Sequence, residues 1–153
     1  MKLEQTVKKI LETCLGCLQL DKFEIGKEFK KENLENKKIH LVGVGKGAIP
    51  LVGEVIQFLI QDAQLSKDKL KEPIIFTKSG YETLLTFKAK VIFGGHPFPN
   101  DKSLEAGEIF CKILTELRPG DLLILCLTGG ASAIIESLED GFSKQHLQVS
   151  AQL

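Results

Sequence analysis

Hydrophobic residues in this chain form short β-branched runs that alternate with longer stripes of helical spacing. The stripes repeat apolar side chains every third or fourth residue and predict helices over 3–18, 48–63 and 106–117. The short runs predict strands at 39–44, 73–77, 90–93 and 121–127. Because strands and helices alternate, the sequence predicts a three-layer α/β domain with a mostly parallel sheet.

The ends of the later helices carry recognisable signals. Asn100 or Asp101 is placed to cap the third helix, and the Pro-Gly pair at 119–120 to stop it. Ser143 is placed to cap a last helix that runs to Leu153 without a C-terminal capping signal. From that uncapped ending we expect a chain interrupted inside a larger fold.

For two of the predicted strands the sequence also indicates what surrounds them. The run at 121–127 is the most continuously apolar of the four, which is typical of a strand covered on both faces. The connection that precedes the strand at 90–93 is short for a parallel crossover. We therefore expect irregular structure from Tyr81 to Phe87.

Three unusual segments, 43–48, 94–99 and 128–132, follow directly after predicted strands. In open α/β sheets, ligands bind outside the carboxyl ends of the strands, where the strand order reverses. We therefore expect the three segments to converge on one crevice.

Composition and charge narrow the function classes. Among the 153 residues, 20 basic and 20 acidic side chains give a formal net charge of zero, which argues against a general binder of nucleic acid. No apolar run approaches the roughly 18 residues of a membrane span, and the polar start at 1–5 is unlike a signal peptide. We therefore expect a cytoplasmic protein that contacts neither membrane nor nucleic acid.

The four cysteines fit a reducing compartment. Cys14 and Cys17 have the C-x-x-C spacing of a redox or metal site, but no second ligand pair completes a zinc site. Buried thiols near the end of a helix are the simpler interpretation, and the sequence assigns no metal ligands.

The first glycine segment fits the loose pattern G-x-G-x-x-G/A through Gly43, Gly45 and Ala48. A dinucleotide site would need an acid at the end of the second strand. That strand ends at Thr77 and Lys78 without a carboxylate, so a nicotinamide cofactor is disfavoured.

Lys46 is the informative residue of this segment. A cation in the first turn of a helix opposes the helix dipole and costs a few tenths of a kcal/mol to about 1 kcal/mol. The glycines beside it, Gly45 and Gly47, leave backbone N–H groups unshielded, which favours an anion site. The alternative is a solvated lysine that points away.

The other two segments also suit a ligand. Small residues let a ligand approach the backbone in the second glycine turn, which consists of Thr128, Gly129, Gly130, Ala131 and Ser132. It is not a nucleophile elbow, because Ile134 stands where G-x-S-x-G needs glycine. In the third segment, two prolines stiffen the loop that holds His96, which is either a ligand-binding or a structural histidine.

Together these segments resemble the glycerate 2-kinase family, whose DUF4147-type N-terminal domain is Rossmann-like and precedes a MOFRL domain. The resemblance is carried by residues 42–48, 77–80, 95–106 and 127–133, in that order. It implies ATP-dependent phosphorylation of D-glycerate to 2-phosphoglycerate with Mg²⁺. It also implies that residues 1–153 are the N-terminal Rossmann-like domain, incomplete, with the C-terminal MOFRL domain absent from this chain.

The resemblance assigns roles to residues. It implies that Lys46 contacts the transferred phosphate or the substrate, and that His96 is the histidine of the family's G-H-P motif. It places the remaining phosphate- and substrate-binding positions at Gly43, Gly45, Gly47, Thr128, Gly129, Gly130, Ala131 and Ser132. The chain departs from the family pattern at Gly47, where alanine is usual, and at Thr128 and Ala131, in a loop that is usually richer in serine and glycine.

Two other functions stay open. One is a hydroxypyruvate reductase-type oxidoreductase, and the other is a non-catalytic module that binds anions or nucleotides. Phosphoryl transfer needs charge neutralisation by a metal and several cations, and Lys46 is the single obvious cation at these loops. We therefore expect the chain to be inactive alone, with ATP, D-glycerate and the C-terminal domain of the same protein as partners. A homodimer is left open.

Overall fold

The computed structural model describes Leu34, residues 36–82 and residues 85–150. The strands are β1 (Ile39–Val44), β2 (Ile74–Thr77), β3 (Lys90–Phe93) and β4 (Leu122–Leu127). The α-helices are α1 (Ala48–Gln57), α2 (Asp101–Thr115), α3 (Ala131–Ile134) and α4 (Lys144–Ser150). The predicted helix at 3–18 and the C-x-x-C pair lie outside the described residues. No helix of the described ranges is long and apolar enough to cross a membrane.

The four strands form one parallel sheet in the order β3-β2-β1-β4. The chain moves outward from β1 to β2 and β3, and then returns to place β4 on the other side of β1. The strand order therefore reverses between β1 and β4, which is where ligands bind in open α/β sheets. The prediction of an α/β fold with a parallel sheet is confirmed.

Two apolar clusters cover the two faces of the sheet. All six residues of β1 are buried, and their side chains alternate between the faces. Leu41 and Ile75 pack towards α1 with Val52, whereas Val42 and Phe76 pack towards α2 and α3. The rings of Phe76 and Phe110, the latter on α2, form a T-shaped pair with 6.1 Å between centroids. Helices therefore lie on both faces, as the alternating pattern predicted.

The prediction that the run at 121–127 is covered on both faces is wrong for the described residues. Within these ranges β4 pairs with β1 alone, so it is an edge strand. Cys126 is buried on the α1 face, but Leu125 is 45% exposed and Leu127 63% exposed. The apolar pattern reports what β4 is suited to bury, whereas its place in the sheet decides what it does bury.

Helix boundaries follow the sequence signals with small shifts. The Asn100 side chain accepts the Ser103 N–H in a capping box at the start of α2, which confirms the predicted cap. The helix ends at Thr115, a few residues before the Pro-Gly pair at 119–120. The helical stripe of α1 continues as a π-helical segment, Phe58–Asp62. The described residues between Tyr81 and Phe87 form no strand or α-helix, as expected.

Candidate functional site

The two glycine turns meet at the point where the strand order reverses. Gly45 has a φ of +116°, and a Cβ there would overlap the Thr128 side chain and carbonyl. The stem of Lys46 lies against Gly130, since a Cβ on that glycine would lie 3.0 Å from Lys46 Cε. The predicted convergence of 43–48 with 128–132 is confirmed, and the contact of Gly45 with Thr128 requires glycine.

Most backbone donors of the first turn already have acceptors. The N–H groups of Gly45, Lys46 and Gly47 donate to Phe76 O, Gly129 O and Thr128 Oγ1, each at 3.0 Å, and Ala48 N–H donates to Gly45 O at 3.3 Å. The expectation that these groups are open to an anion therefore does not hold in this geometry. What the turn still offers an anion is the Lys46 ammonium group.

Thr128 joins the two turns through its hydroxyl. Its Oγ1 accepts the Gly47 N–H and lies 3.3 Å from Val44 O, to which it donates. Its own N–H donates to the same Val44 carbonyl at 2.8 Å. Gly47 is the N-cap of α1 and has no side chain to cap with, and the first turn holds no acidic residue. Thr128, directly after β4, therefore supplies the cap that α1 lacks.

The second turn has more backbone N–H groups without an acceptor than the first turn has, within the described residues. Gly130 has a φ of +85° and begins the short helix α3, while Gly129 and Ser132 are exposed. Within the described ranges the N–H groups from Gly129 to Ser132 donate to no acceptor. Together with Lys46, these donors are the ones that remain for a bound anion at the reversal point.

The third segment is tied to α3 by one buried hydroxyl. Ser103 Oγ accepts the Gly95 N–H at 2.8 Å and the Asn100 N–H at 3.1 Å, and donates to Ala133 O at 2.7 Å. A Cβ on Gly94 would overlap the carbonyl of Ile134. The loop that holds His96 is thus fixed to the helix that follows the second turn.

Ser103 was not singled out from the sequence, although a signal for it exists. It stands three residues after the cap Asn100, where the partner of a capping box is found. Its further contact, with the Ala133 carbonyl, depends on α3 packing beside α2, which local spacing does not reveal. The sequence therefore pointed to the cap but not to the link between two loops.

Two buried polar atoms lack a hydrogen-bond partner within the described residues. They are Thr77 Oγ1, at the end of β2, and His96 Nδ1, in the loop after β3. Thr77 is fully buried and the His96 ring is half-buried. Buried polar groups are nearly always hydrogen-bonded, so both atoms need an account.

The opposite edge of the sheet carries a polar pair of its own. His40 Nε2 on β1 lies 3.1 Å from Asp121 Oδ2, next to the start of β4. The Arg118 backbone N–H, and then His40, lower the pKa of the Asp121 carboxyl below its ordinary value of 3.8. This pair is at the amino end of the strands and takes no part in the site at their carboxyl ends.

The described cysteines and acids were also compared with what a nucleophile and a metal site require. Burial raises the pKa of the Cys126 thiol to about 11, which makes it a weak nucleophile. Among the described residues there is no group of three or more His, Cys, Asp or Glu side chains that could hold a metal ion. The described residues therefore do not fit a complete Mg²⁺ site.

Comparison with known proteins gives relatives of much greater length. The chain is 29% identical over 128 residues to a glycerate 2-kinase of Pyrococcus horikoshii and 27% identical over 116 residues to one of Picrophilus torridus. These matches cover 84% and 74% of the chain. A protein of Agrobacterium vitis with the provisional name hydroxypyruvate reductase is 25% identical over 67% of the chain. The chain spans about a quarter of the length of these relatives, 26%, 26% and 25% respectively.

A solved structure supports the fold. The crystal structure of a glycerate kinase from Thermotoga maritima superposes with a TM-score of 0.60 and 20% identity, over 74% of this chain and 26% of that one. At this identity the likeness concerns the fold alone. Residues 3–153 match the family described as domain of unknown function DUF4147, so the chain belongs to that family.

Proposed function

We propose that the complete protein is an ATP-dependent glycerate 2-kinase that converts D-glycerate to 2-phosphoglycerate, and that this chain forms part of its cleft. The observation that carries the proposal is the contact of Lys46 with Gly130 at the reversal point of the sheet. It places a cation beside the open N–H groups of the second turn, in a family whose matched relatives are named glycerate 2-kinases.

The reaction moves a phosphoryl group to an alcohol. The 2-hydroxyl oxygen of glycerate bonds to the γ-phosphorus of ATP, the bond from that phosphorus to the bridging oxygen breaks, and the hydroxyl proton is released. Catalysis of this kind rests on positioning and on neutralising the charge of the phosphoryl oxygens. In the proposal Lys46 supplies one positive charge, and the turn from Gly129 to Ser132 supplies N–H and hydroxyl donors.

Thr128 has a supporting role in this mechanism. Its hydroxyl is already shared between Gly47 N–H and Val44 O, so it fixes the two turns relative to each other. A turn held in this way keeps Lys46 over Gly130 without reorganisation when a phosphate binds. We assign no step to Mg²⁺ among the described residues, because they offer no complete set of ligands.

Phosphoryl transfer also needs a closed cleft and further charged groups, which the proposal assigns to the rest of the protein. We propose that a C-terminal domain closes the cleft and supplies the acidic and further basic groups, that the protein acts in the cytoplasm, and that this chain alone does not turn over substrate. The test is a coupled ADP-release assay with ATP and D-glycerate on both the chain and the complete protein. Turnover by the chain at kinase rates, about 1–100 per second, would contradict the last part.

The role of Lys46 is tested in the complete protein. Lys46→Ala should abolish phosphoryl transfer while the thermal midpoint stays close to that of the wild type, since the side chain is half-buried and takes part in no ion pair within the described ranges. Lys112→Ala is the matched control, because Lys112 is exposed on α2 and, among the residues that the structure describes, its ammonium group pairs with Glu116 alone. Retained activity in Lys46→Ala would remove this residue from the mechanism.

A reductase is the second candidate, and the name of the Agrobacterium vitis relative favours it. The end of β2 argues against it, because Thr77 and Lys78 stand where a nicotinamide site needs an acid. Quenching or enhancement of NADH fluorescence on titration with the complete protein would support the reductase. A thermal shift with Mg-ATP or D-glycerate but no turnover would favour a non-catalytic module.

A further inference from the structure

The unpartnered atoms of Thr77 and His96 set these two residues apart from the rest of the loop cluster. The other polar side chains at this edge that the fold buries are satisfied within the chain: Ser103 Oγ has three partners, and Thr128 Oγ1 has two. Thr77 Oγ1 and His96 Nδ1 have none among the described residues. Burying such groups without a partner costs free energy, and a bound ligand that pairs with them recovers it.

The sheet puts both residues at its carboxyl edge, on neighbouring strands. Thr77 is paired in register with Phe93, and Gly94 N–H donates to Thr77 O at 2.9 Å. His96 follows two residues later. On the other side of β2, Gly45 N–H donates to Phe76 O, so Thr77 also flanks the turn that holds Lys46.

The spacing suits a small ligand that reaches from one pair of strands to the other. Neighbouring strands lie about 4.8 Å apart, so the ends of β1, β2 and β3 span roughly 10 Å. A three-carbon hydroxy acid and one phosphoryl group fit within that span. The phosphate-binding groups are at β1 and β4, and the unpartnered groups are at β2 and β3.

The chemistry of the two groups also differs from that of the phosphate loops. A hydroxyl and an imidazole can each donate or accept a hydrogen bond, which suits the hydroxyl and carboxylate oxygens of a hydroxy acid. We propose that Thr77 Oγ1 and His96 Nδ1 bind the phosphoryl acceptor, a small hydroxy acid, while Lys46 and the second glycine turn bind the phosphoryl donor. This division of the cleft rests on the proposed kinase function.

Thr77→Val in the complete protein is the sharpest test, because valine keeps the shape and removes only the hydroxyl. The KM for D-glycerate should rise about tenfold or more, while the KM for ATP changes less than about twofold. Without ligand, the thermal midpoint should stay level or rise, since an unpaired buried hydroxyl has been removed. Thr77→Ser keeps the hydroxyl and should keep the KM for D-glycerate within about threefold of the wild type.

His96 is tested with two polar substitutions. His96→Asn keeps a polar group near the position of Nδ1, whereas His96→Gln places it near that of Nε2. His96→Asn should therefore retain a KM for D-glycerate closer to that of the wild type than His96→Gln does. The reverse order would overturn the assignment of Nδ1.

The structural alternative is that other parts of the protein pair with these atoms. In that case Thr77→Val lowers the thermal midpoint without ligand and leaves the KM for D-glycerate unchanged, and the proposal is overturned. An equal rise in the KM for ATP and for D-glycerate would also overturn it, because the cleft is then not divided as proposed.

The failure of this inference is distinguishable from the failure of the kinase proposal. If the wild-type protein transfers phosphate but Thr77→Val has an unchanged KM for D-glycerate, only the inference fails. If the wild type transfers no phosphate, calorimetric titration with D-glycerate still tests it. Binding that Thr77→Val weakens would then support the acceptor site, and equal binding by both proteins would overturn it.

Discussion

The sheet has two halves, one formed by β1 and β4 and the other by β2 and β3, and they differ in how their polar groups are paired. At the β1–β4 half, Thr128 links both turns and His40 pairs with Asp121 at the far end of the same strands. At the β2–β3 half an exposed ion pair joins Lys88 Nζ to Glu72 Oε1, 3.6 Å apart and just before the two strands begin, while two buried polar atoms at the carboxyl ends stay unpaired within the described residues. The comparison shows that the first half keeps its unpaired capacity in backbone N–H groups of the second turn and in Lys46, whereas the second half keeps it in two buried side-chain atoms.

The largest expected effect concerns the contact that joins the two halves. A Cβ on Gly94 would overlap the carbonyl oxygen of Ile134 in α3, and neither backbone can move without disturbing the sheet or the helix. Gly94→Ala should lower the free energy of unfolding by about 3 kcal/mol or prevent folding. Urea unfolding followed by circular dichroism measures this. Gly129→Ala is the matched control, since nothing lies within 4 Å of its added Cβ. Similar losses of unfolding free energy in both variants would show that the loss in Gly94→Ala does not come from the contact with Ile134.

A smaller loss is expected when the link through Ser103 is removed. Ser103→Ala leaves the Gly95 N–H and the Ala133 carbonyl without their buried partner, which should cost about 1–3 kcal/mol of unfolding free energy. The exposed Ser137 gives the control Ser137→Ala, expected to lie within about 0.5 kcal/mol of the wild type. If Ser103→Ala is as stable as this control, the His96 loop is not held by this hydroxyl.

The cap that β4 supplies to α1 is expected to be worth less again. Thr128→Val removes the acceptor of the Gly47 N–H and should cost about 1 kcal/mol, while Thr128→Ser retains the oxygen and most of the stability. Denaturant midpoints of the two variants provide the comparison. A loss in Thr128→Ser with little loss in Thr128→Val would assign the effect to the Thr128 methyl group and would weaken the contrast between the halves.

The sequence predicted the positions of the helices and strands better than it predicted which of their side chains are buried. Local spacing sufficed for β1, β3 and the Asn100 cap, because strand alternation and capping are decided within a few residues. The exposure of Leu125 and Leu127 was missed because a strand's place in the sheet depends on pairing over a long separation.

The same limit applies to the candidate site. Glycine spacing predicted that the turns at 43–48 and 128–132 meet, since both follow parallel strands. It could not show that Thr128 and Gly129 accept the N–H groups of the first turn, because those acceptors come from the turn after β4, more than 80 residues away. The unpaired state of Thr77 Oγ1 likewise appears only once the surrounding chain is placed.

The smallest expected effect is a dependence on pH confined to the β1–β4 half. The lowered pKa of Asp121 means that the folded chain holds its carboxylate more strongly than the unfolded chain does. The stabilisation is therefore complete above the ordinary value of 3.8 and is lost as the pH falls through the lowered pKa. Asp121→Asn removes this contribution, so its deficit against the wild type should shrink on acidification.

Amide hydrogen exchange can locate that effect within the sheet. Protection of the β4 amides relative to Asp121→Asn should decline on acidification, while protection in β3 should change equally in both proteins, since β2 separates β3 from the strand that holds His40. A parallel change in all four strands would mean that the sheet opens as one unit. The β1–β4 half would then owe no separate stability to its side-chain links, and the contrast between the two halves would concern ligand binding alone.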